Sequence, residues 1–135
     1  MSDIDSQSVK NCWSKIQAAK GSHFFVENFY RFMFEHHPET RPLFPNSLVQ
    51  QKTTLLSTLD NVINGIEYIE ELEKELIDLG RHHKNLGIKK EMFDAFVKTV
   101  VAAANYSSDY SLTDKELAAW EAAFRKISNI MLKAY

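Results

Sequence analysis

Residues 78–87 read DLGRHHKNLG, two adjacent histidines near the end of an apolar run, with a glycine four residues later. His83 continues a stripe of leucines that begins at Leu72 and recurs at spacings of four and three, so it lies on the apolar face of a predicted helix. His82 is turned by about 100° from it and falls on the charged face. The sequence therefore predicts one histidine directed into a core and its neighbour directed toward water.

Helical spacing of apolar residues extends along nearly the whole chain, and no strand–turn–helix pattern with glycines accompanies it. Breaks are expected near Gly21, around the prolines of HHPETRPLFPN (residues 36–46), and near Gly65. The helix that carries the two histidines is predicted from about Ile69 to Gly87. We therefore expect an all-α fold of six main helices and a short one.

Two sequence patterns predict where helices begin. Thr113 and Glu116 form a capping-box pattern at the start of the last helix. Ser47 and Gln50 resemble a second capping box, which would open the long helix after the prolines.

The composition is that of an ordinary globular protein, with 44% hydrophobic and 25% charged residues and a net charge of −2. Lysine and arginine are spread along the chain, so no basic block points to nucleic acid. Cys12 is the single cysteine, which leaves no internal disulfide. The polar start and the lack of a long apolar run predict a cytoplasmic protein without a membrane partner. We expect a single domain over residues 1–135.

A buried imidazole needs partners for both ring nitrogens. One interpretation of His83 is a core histidine satisfied by hydrogen bonds alone. The other is a metal ligand whose second nitrogen donates to a backbone carbonyl one turn earlier. No HExxH motif or Cys/His cluster supports a zinc site. A single inward histidine fits better with haem, which brings four of the iron's ligands itself.

Two polar residues also stand in apolar surroundings. Gln51 heads the apolar row that continues at Leu55, and Tyr30 lies inside a phenylalanine-rich run. Each has an ordinary explanation, which is solvent exposure in the first helical turn for Gln51 and core filling for Tyr30. Together with His83, they would place two hydrogen-bond donors across a pocket from one metal ligand.

Four segments, taken with their order and separations, carry a resemblance. They are NFYRFMFEHHPETRPLF (28–44), QQKTTLLSTL (50–59), LGRHHKNLGIKKEMF (79–93) and AAWEAAFRKI (118–127). They resemble the globin family, in particular bacterial single-domain globins of the Vitreoscilla haemoglobin type and the haem domain of flavohaemoglobins. The resemblance covers essentially the whole chain and implies a globin fold of six to eight helices around a pocket for haem b (iron protoporphyrin IX).

The resemblance also implies roles for individual residues. His83 matches the proximal iron ligand, because only His83 has Gly87 and Ile88 at the offsets of the family pattern. Tyr30, Gln51 and Leu55 match the distal ligand-binding positions, and Phe44 matches the phenylalanine that packs flat on the haem. The remaining pocket positions are Ile88, Phe93, Phe96, Phe124, Ile127 and Met131, with at most a propionate contact for His82.

The chain departs from the family pattern at the network around the proximal histidine. In flavohaemoglobins the proximal histidine belongs to a glutamate–tyrosine network, but here Phe93 stands at the tyrosine position and Tyr135 lies near where the glutamate would fall. We therefore expect His83 to be a neutral imidazole bonded to a backbone carbonyl. This weakens the case for peroxidase-like or dedicated nitric oxide dioxygenase chemistry.

The resemblance implies reversible binding of O2, CO and NO, used for oxygen storage, delivery or scavenging, by a monomer or weak homodimer. Nitric oxide dioxygenase activity with a separate reductase is the alternative, since no flavin or nicotinamide domain is evident. A haem-based gas sensor and a helical bundle without haem are further alternatives. A sixth iron ligand from Tyr30, Gln51 or Lys52 stays an open alternative.

Overall fold

The computed structural model of the protein describes residues 4–135, which form six α-helices and three 3-10 helices and contain no strand. The α-helices are α1 (Ser6–Ala19), α2 (Ser22–His36), α3 (Val49–Asn64), α4 (Glu73–Asn85), α5 (Glu91–Ser107) and α6 (Asp114–Met131). The 3-10 helices span Pro38–Leu43, Ile66–Leu72 and Leu132–Ala134. The predicted all-α fold with six main helices is confirmed. Within residues 4–135, none of the helices has the length and apolar character that a bilayer crossing requires.

Helices α5 and α6 lie at the centre of the fold. Helix α5 packs against α2 and α6, while α6 also packs against α1 and α4. Near α1 the core is filled by aromatic rings, because Trp120 stacks on Trp13 at 6.0 Å between centroids and meets the ring of Phe25 edge-on at 6.1 Å. The indole Nε1 of Trp120 donates to the Val100 carbonyl at 3.1 Å, which satisfies its only polar group. The end of the molecule near α1 is therefore filled by large aromatic side chains.

Two glycines affect helix α4: one allows its close approach to α6, and the other lies just after its end. Gly80 is buried against α6, where a Cβ atom would lie 2.8 Å from the carbonyl carbon of Met131 and nearer still to its oxygen. Any side chain at residue 80 would therefore push the two helices apart. Gly87 follows α4 with φ +94°, a backbone conformation that residues with side chains rarely adopt.

The start of α3 differs from the prediction. The Ser47 capping box is wrong, since α3 begins at Val49, and its N-cap, Leu48, makes no side-chain cap hydrogen bond. The cause lies in the preceding loop, where the Arg41 guanidinium donates to three successive carbonyls, those of residues 44–46, at 3.0 to 3.2 Å. These bonds hold the chain outside helical geometry until it has passed Ser47.

The helix predicted from Ile69 also begins later, at Glu73. Residues 66–72 form a 3-10 helix, with a break at Tyr68 (φ −118°, ψ 34°). Ile66 and Ile69, on either side of this break, are both fully buried. The chain therefore enters the core before it becomes α-helical at Glu73.

The predicted capping box at α6 is confirmed. The Glu116 backbone N–H donates to the Thr113 hydroxyl at 3.1 Å, and the Thr113 N–H donates to the Glu116 carboxylate at 2.9 Å.

We expect Thr113→Ala to lower the free energy of unfolding by about 1 kcal/mol, because the helix start loses its hydroxyl acceptor. Urea denaturation measures this change. The exposed Ser57→Ala on α3 is the control and should stay within about 0.5 kcal/mol of the parent. Equal values for the two variants would contradict the capping role.

Candidate functional site

A cavity of about 250 Å³ lies between α3 and α4, two helices that do not pack closely on each other. The rest of its lining comes from α2, α5 and α6, from the 3-10 helix Pro38–Leu43 with Phe44, and from Leu86 and Ile88 after α4. The cavity brings together the residues to which the resemblance assigned a place in the site: Tyr30, Phe44, Gln51, Leu55, His82, His83, Ile88, Phe93, Phe96, Phe124, Ile127 and Met131. Lys52, the other candidate for a sixth ligand, does not border the cavity and pairs with Glu27 at 2.8 Å.

His83 reaches the cavity from the last turn of α4. Its Nδ1 lies 2.6 Å from the Leu79 carbonyl, and a carbonyl only accepts, so Nδ1 carries the proton in this hydrogen bond. The lone pair of Nε2 is then left for another partner. Burial lowers the pKa of the imidazole, an effect that the Leu79 carbonyl opposes and neighbouring His82 reinforces. The ring is therefore neutral at pH 7, which is the form that binds metal ions.

His82 lies at the exposed edge of the same cavity. Its ring is 6.4 Å from that of His83 between centroids, with an interplanar angle of 85°. Leu86, 51% exposed, lies at the same edge. The two histidines thus face different surroundings, as the helical phase of the sequence predicted.

Tyr30 is the buried polar group on the α2 wall. Its hydroxyl donates to the backbone carbonyl of Gln51 at 3.4 Å, which is long for a hydrogen bond between oxygens. The ring meets Phe29 and Phe44 edge-on at 5.2 and 5.8 Å between centroids. Burial raises the pKa of Tyr30 to about 12, so the phenol keeps its proton at neutral pH. Tyr30 is therefore a hydrogen-bond donor held in place by aromatic contacts.

Gln51 also lines the cavity, one turn before Leu55 on α3. Among residues 4–135, its amide group has no hydrogen-bond partner. Together, Tyr30 and Gln51 place two donors at one part of an otherwise largely apolar lining.

Sequence reasoning named only part of the lining as site residues. The further lining residues are Phe29, Met33, Thr40, Leu43, Thr54, Thr58, Leu59, Val62, Leu76, Leu79, Leu86 and Met92. Met33 and Leu59 follow Tyr30 and Leu55 at helical spacing, so the same stripes pointed to them. Leu43 and Leu86 lie at helix ends, where periodicity gives no signal. The threonines are polar and carry no pattern in the sequence.

The donor set limits which bound group fits. Within the part of the chain that the structure describes, no three His, Cys, Asp or Glu side chains are placed to hold a metal ion. The cavity instead presents one half-buried imidazole, a phenol, an amide and an apolar wall that includes several aromatic rings. A metal held here must bring most of its ligands with it, as the iron of a flat, apolar macrocycle does.

The chain is similar to several known proteins. The family model described as Globin matches residues 27–131. A flavohemoprotein of Halalkalibacterium halodurans is 26% identical over 111 residues, covering 80% of this chain and 27% of the relative. A flavohemoprotein of Rhizobium meliloti is 24% identical over 116 residues, covering 84% of this chain and 29% of the relative. The chain thus spans under a third of the length of these curated relatives.

Two solved structures share the fold. A bacterial globin from Campylobacter jejuni has a TM-score of 0.81 at 23% identity, covering 96% of this chain and 92% of its own. An engineered carbene transferase from Rhodothermus marinus, provisionally described as a nitric oxide dioxygenase, has a TM-score of 0.83 at 22% identity, covering 99% of this chain and 93% of its own.

The lowered pKa of His83 predicts an acid-sensitive fold. As the pH falls below 6.5, the unfolded chain takes up a proton that the folded imidazole resists. In ligand-free protein, the free energy of unfolding should therefore fall between pH 6.5 and the lower pKa of the folded state. His83→Leu should flatten this dependence in urea titrations at several pH values, while the exposed His23→Leu should keep it. A parent-like slope in His83→Leu would contradict the assignment.

Proposed function

This chain belongs to the globin family, and from that membership we propose that it holds haem b at His83 and binds O2 reversibly, with CO and NO as further ligands. The observation that carries the proposal is the half-buried His83 imidazole, which points into a largely apolar cavity with its Nδ1 already committed to Leu79. We infer that residues 1–135 form one globin domain.

We assign His83 as the proximal iron ligand, and its bond to Leu79 fixes which nitrogen is free for the metal. Phe44 would pack on the face of the haem, where its ring already meets that of Tyr30. The other apolar contacts would come from Leu55, Ile88, Phe93, Phe96, Phe124, Ile127 and Met131. His82, at the exposed edge, is left with at most a propionate contact.

When bound, haem supplies ferrous iron to which diatomic gases attach. The chain's own contribution is to hold donors near the ligand and to keep water out. Tyr30 stays protonated because burial raises the pKa of its hydroxyl, and its bond to the Gln51 carbonyl is long, so exchange of that acceptor for a ligand costs little. The Gln51 amide adds a second donor. Both donors would favour a ligand on which negative charge builds up, as it would on O2.

Nitric oxide dioxygenase activity is the second candidate, because the Rhodothermus marinus structure of the same fold is provisionally described as a nitric oxide dioxygenase. Such turnover needs repeated reduction of the iron. Residues 4–135 contain no strand and hence no strand–turn–helix nucleotide site. Electrons would come from a separate reductase or from chain beyond these residues. Rapid re-reduction of the oxidised protein by a cellular reductase after NO addition, followed by absorbance, would favour the enzyme, and slow re-reduction by the same reductase would favour oxygen storage.

Replacement of the two histidines separates their roles. We expect His83→Leu to abolish ordinary haem binding, seen as loss of the CO-sensitive Soret band of the reduced protein. His82→Leu on the neighbouring, exposed position should leave the spectrum nearly intact. If the parent chain shows no Soret band after haem reconstitution, the proposed function is wrong. The reverse pattern in the two variants would instead reject the assignment of His83.

Removal of one hydroxyl tests the distal donor. We expect Tyr30→Phe to speed O2 dissociation about fivefold or more in stopped-flow measurements, which corresponds to loss of a hydrogen bond of about 1 kcal/mol. Tyr68→Phe, at a tyrosine exposed to 60% and away from the cavity, is the matched control and should keep the parent rate. An unchanged rate in Tyr30→Phe would rule out Tyr30 as a ligand donor.

A further inference from the structure

We propose that Arg41 is a positioning residue for Tyr30, and that it acts through the rings of Phe34 and Phe44. The inference rests on the proposed function, since it concerns the hydroxyl that would donate to a bound gas. It adds two residues outside the cavity lining, because neither Arg41 nor Phe34 borders the cavity.

The guanidinium of Arg41 closes the loop that follows the 3-10 helix Pro38–Leu43. It donates from Nη1 to the carbonyls of Phe44 and Pro45 at 3.2 and 3.0 Å, and from Nη2 to the carbonyl of Asn46 at 3.0 Å. In the opposite direction, the Phe44 N–H donates to the Arg41 carbonyl at 3.1 Å. Phe44 is therefore bound to Arg41 through both its N–H and its carbonyl, which leaves its backbone little freedom to move.

The same guanidinium packs on a cluster of three aromatic rings. Its central carbon, Cζ, lies over the ring of Phe34, 5.1 Å from the centroid. Between centroids, the ring of Phe34 is 5.6 Å from that of Phe44 and 5.9 Å from that of Tyr30, and the rings of Phe44 and Tyr30 are 5.8 Å apart. Each ring therefore contacts the other two. Arg41 holds two of them, Phe34 by stacking and Phe44 by hydrogen bonds.

The hydroxyl of Tyr30 does little to orient its own ring. Within residues 4–135 its one hydrogen bond goes to the Gln51 carbonyl and is 3.4 Å long. Exchange of that acceptor for a bound gas would remove this bond as well. The contacts of the ring with three neighbouring phenylalanines would then remain, and Arg41 holds two of those three rings. The direction of the Tyr30 hydroxyl thus depends on Arg41.

The chemistry of the guanidinium suits this double contact. Its planar group carries five N–H donors in a fixed fork and can stack on a ring at the same time. No Asp or Glu among residues 4–135 pairs with Arg41, so its donors go to the loop carbonyls. An ammonium group is a compact charge and cannot bind three carbonyls along a loop while lying flat on Phe34. Arg41→Lys therefore keeps the charge and removes the geometry of the contact.

The deciding variant is Arg41→Lys. In the reduced, haem-loaded protein with CO bound, we expect the C–O stretching band in the infrared to move to higher frequency and broaden, because a poorly aligned donor polarises the ligand less. O2 dissociation should become about fivefold faster, the factor for one hydrogen bond of about 1 kcal/mol. Arg31→Lys is the matched control and should leave both unchanged, since Arg31 also stacks on a ring, that of Phe32 at 4.7 Å, and neither residue borders the cavity.

A double-mutant cycle separates positioning from general stabilisation. If Arg41 acts through the hydroxyl of Tyr30, Arg41→Lys should not further change the O2 dissociation rate of protein that already carries Tyr30→Phe. An equal effect in the two backgrounds would overturn the proposal, even if Arg41→Lys lowered the free energy of unfolding. A parent-like C–O band in Arg41→Lys would overturn it as well.

Amide hydrogen exchange in the haem-free protein tests the loop contact by itself. In Arg41→Lys the amide hydrogen of Phe44 should exchange faster than in the parent, because the loop has lost its three side-chain bonds. The amide of Ile88, bonded to the His83 carbonyl away from this loop, should keep the parent rate. Unchanged exchange at Phe44 would contradict the proposal without any reference to haem.

Phe34→Leu is the second variant, to be used if Arg41→Lys does not fold. It removes the ring between Arg41 and Tyr30 and keeps the bonds of Arg41 to the loop carbonyls, and it should move the C–O band in the same direction. A parent-like band in Phe34→Leu would then overturn the proposal. All of these results are distinct from failure of the proposed function, in which the parent chain itself shows no Soret band.

Discussion

The site depends on the hydrogen bond between the His83 imidazole and the Leu79 carbonyl. Helix geometry makes this bond available, since a side chain can reach back to the carbonyl one turn earlier, and a carbonyl oxygen that already accepts a backbone N–H still has a second lone pair. The bond selects the tautomer, and burial lowers the pKa of the ring. Both effects leave a neutral imidazole with one nitrogen directed to the cavity.

The contrast between the two ends of the molecule follows from where the large rings lie. At the α1 end, Trp13, Phe25 and Trp120 fill the space between helices. At the other end, α3 and α4 stay apart, and their facing side chains line a cavity instead of interlocking. A ligand that binds this cavity stabilises the folded state by mass action. The packed aromatic rings at the α1 end thus hold the helices together where the cavity end has no interlocking side chains.

Sequence periodicity predicted the elements well and their starts less well. The stripe that ends at His83 was clear because each of its residues is packed against other parts of the fold or borders the cavity. The Thr113 capping box was also readable, since both of its bonds are local. The start of α3 was not, because Arg41 holds the preceding loop through bonds to carbonyls that no side-chain pattern encodes. The placement of Gly80 against Met131 likewise depends on two segments 51 residues apart in the sequence.

Tyr30 and Gln51 lie on different packed helices from His83. Tyr30 and Gln51 lie on α2 and α3, which pack on each other, whereas His83 lies on α4, which packs on α6 and on the 3-10 helix Leu132–Ala134. Substitutions on α2 and α3 that alter hydrogen bonding inside the cavity therefore leave the packing of α4 on α6 in place.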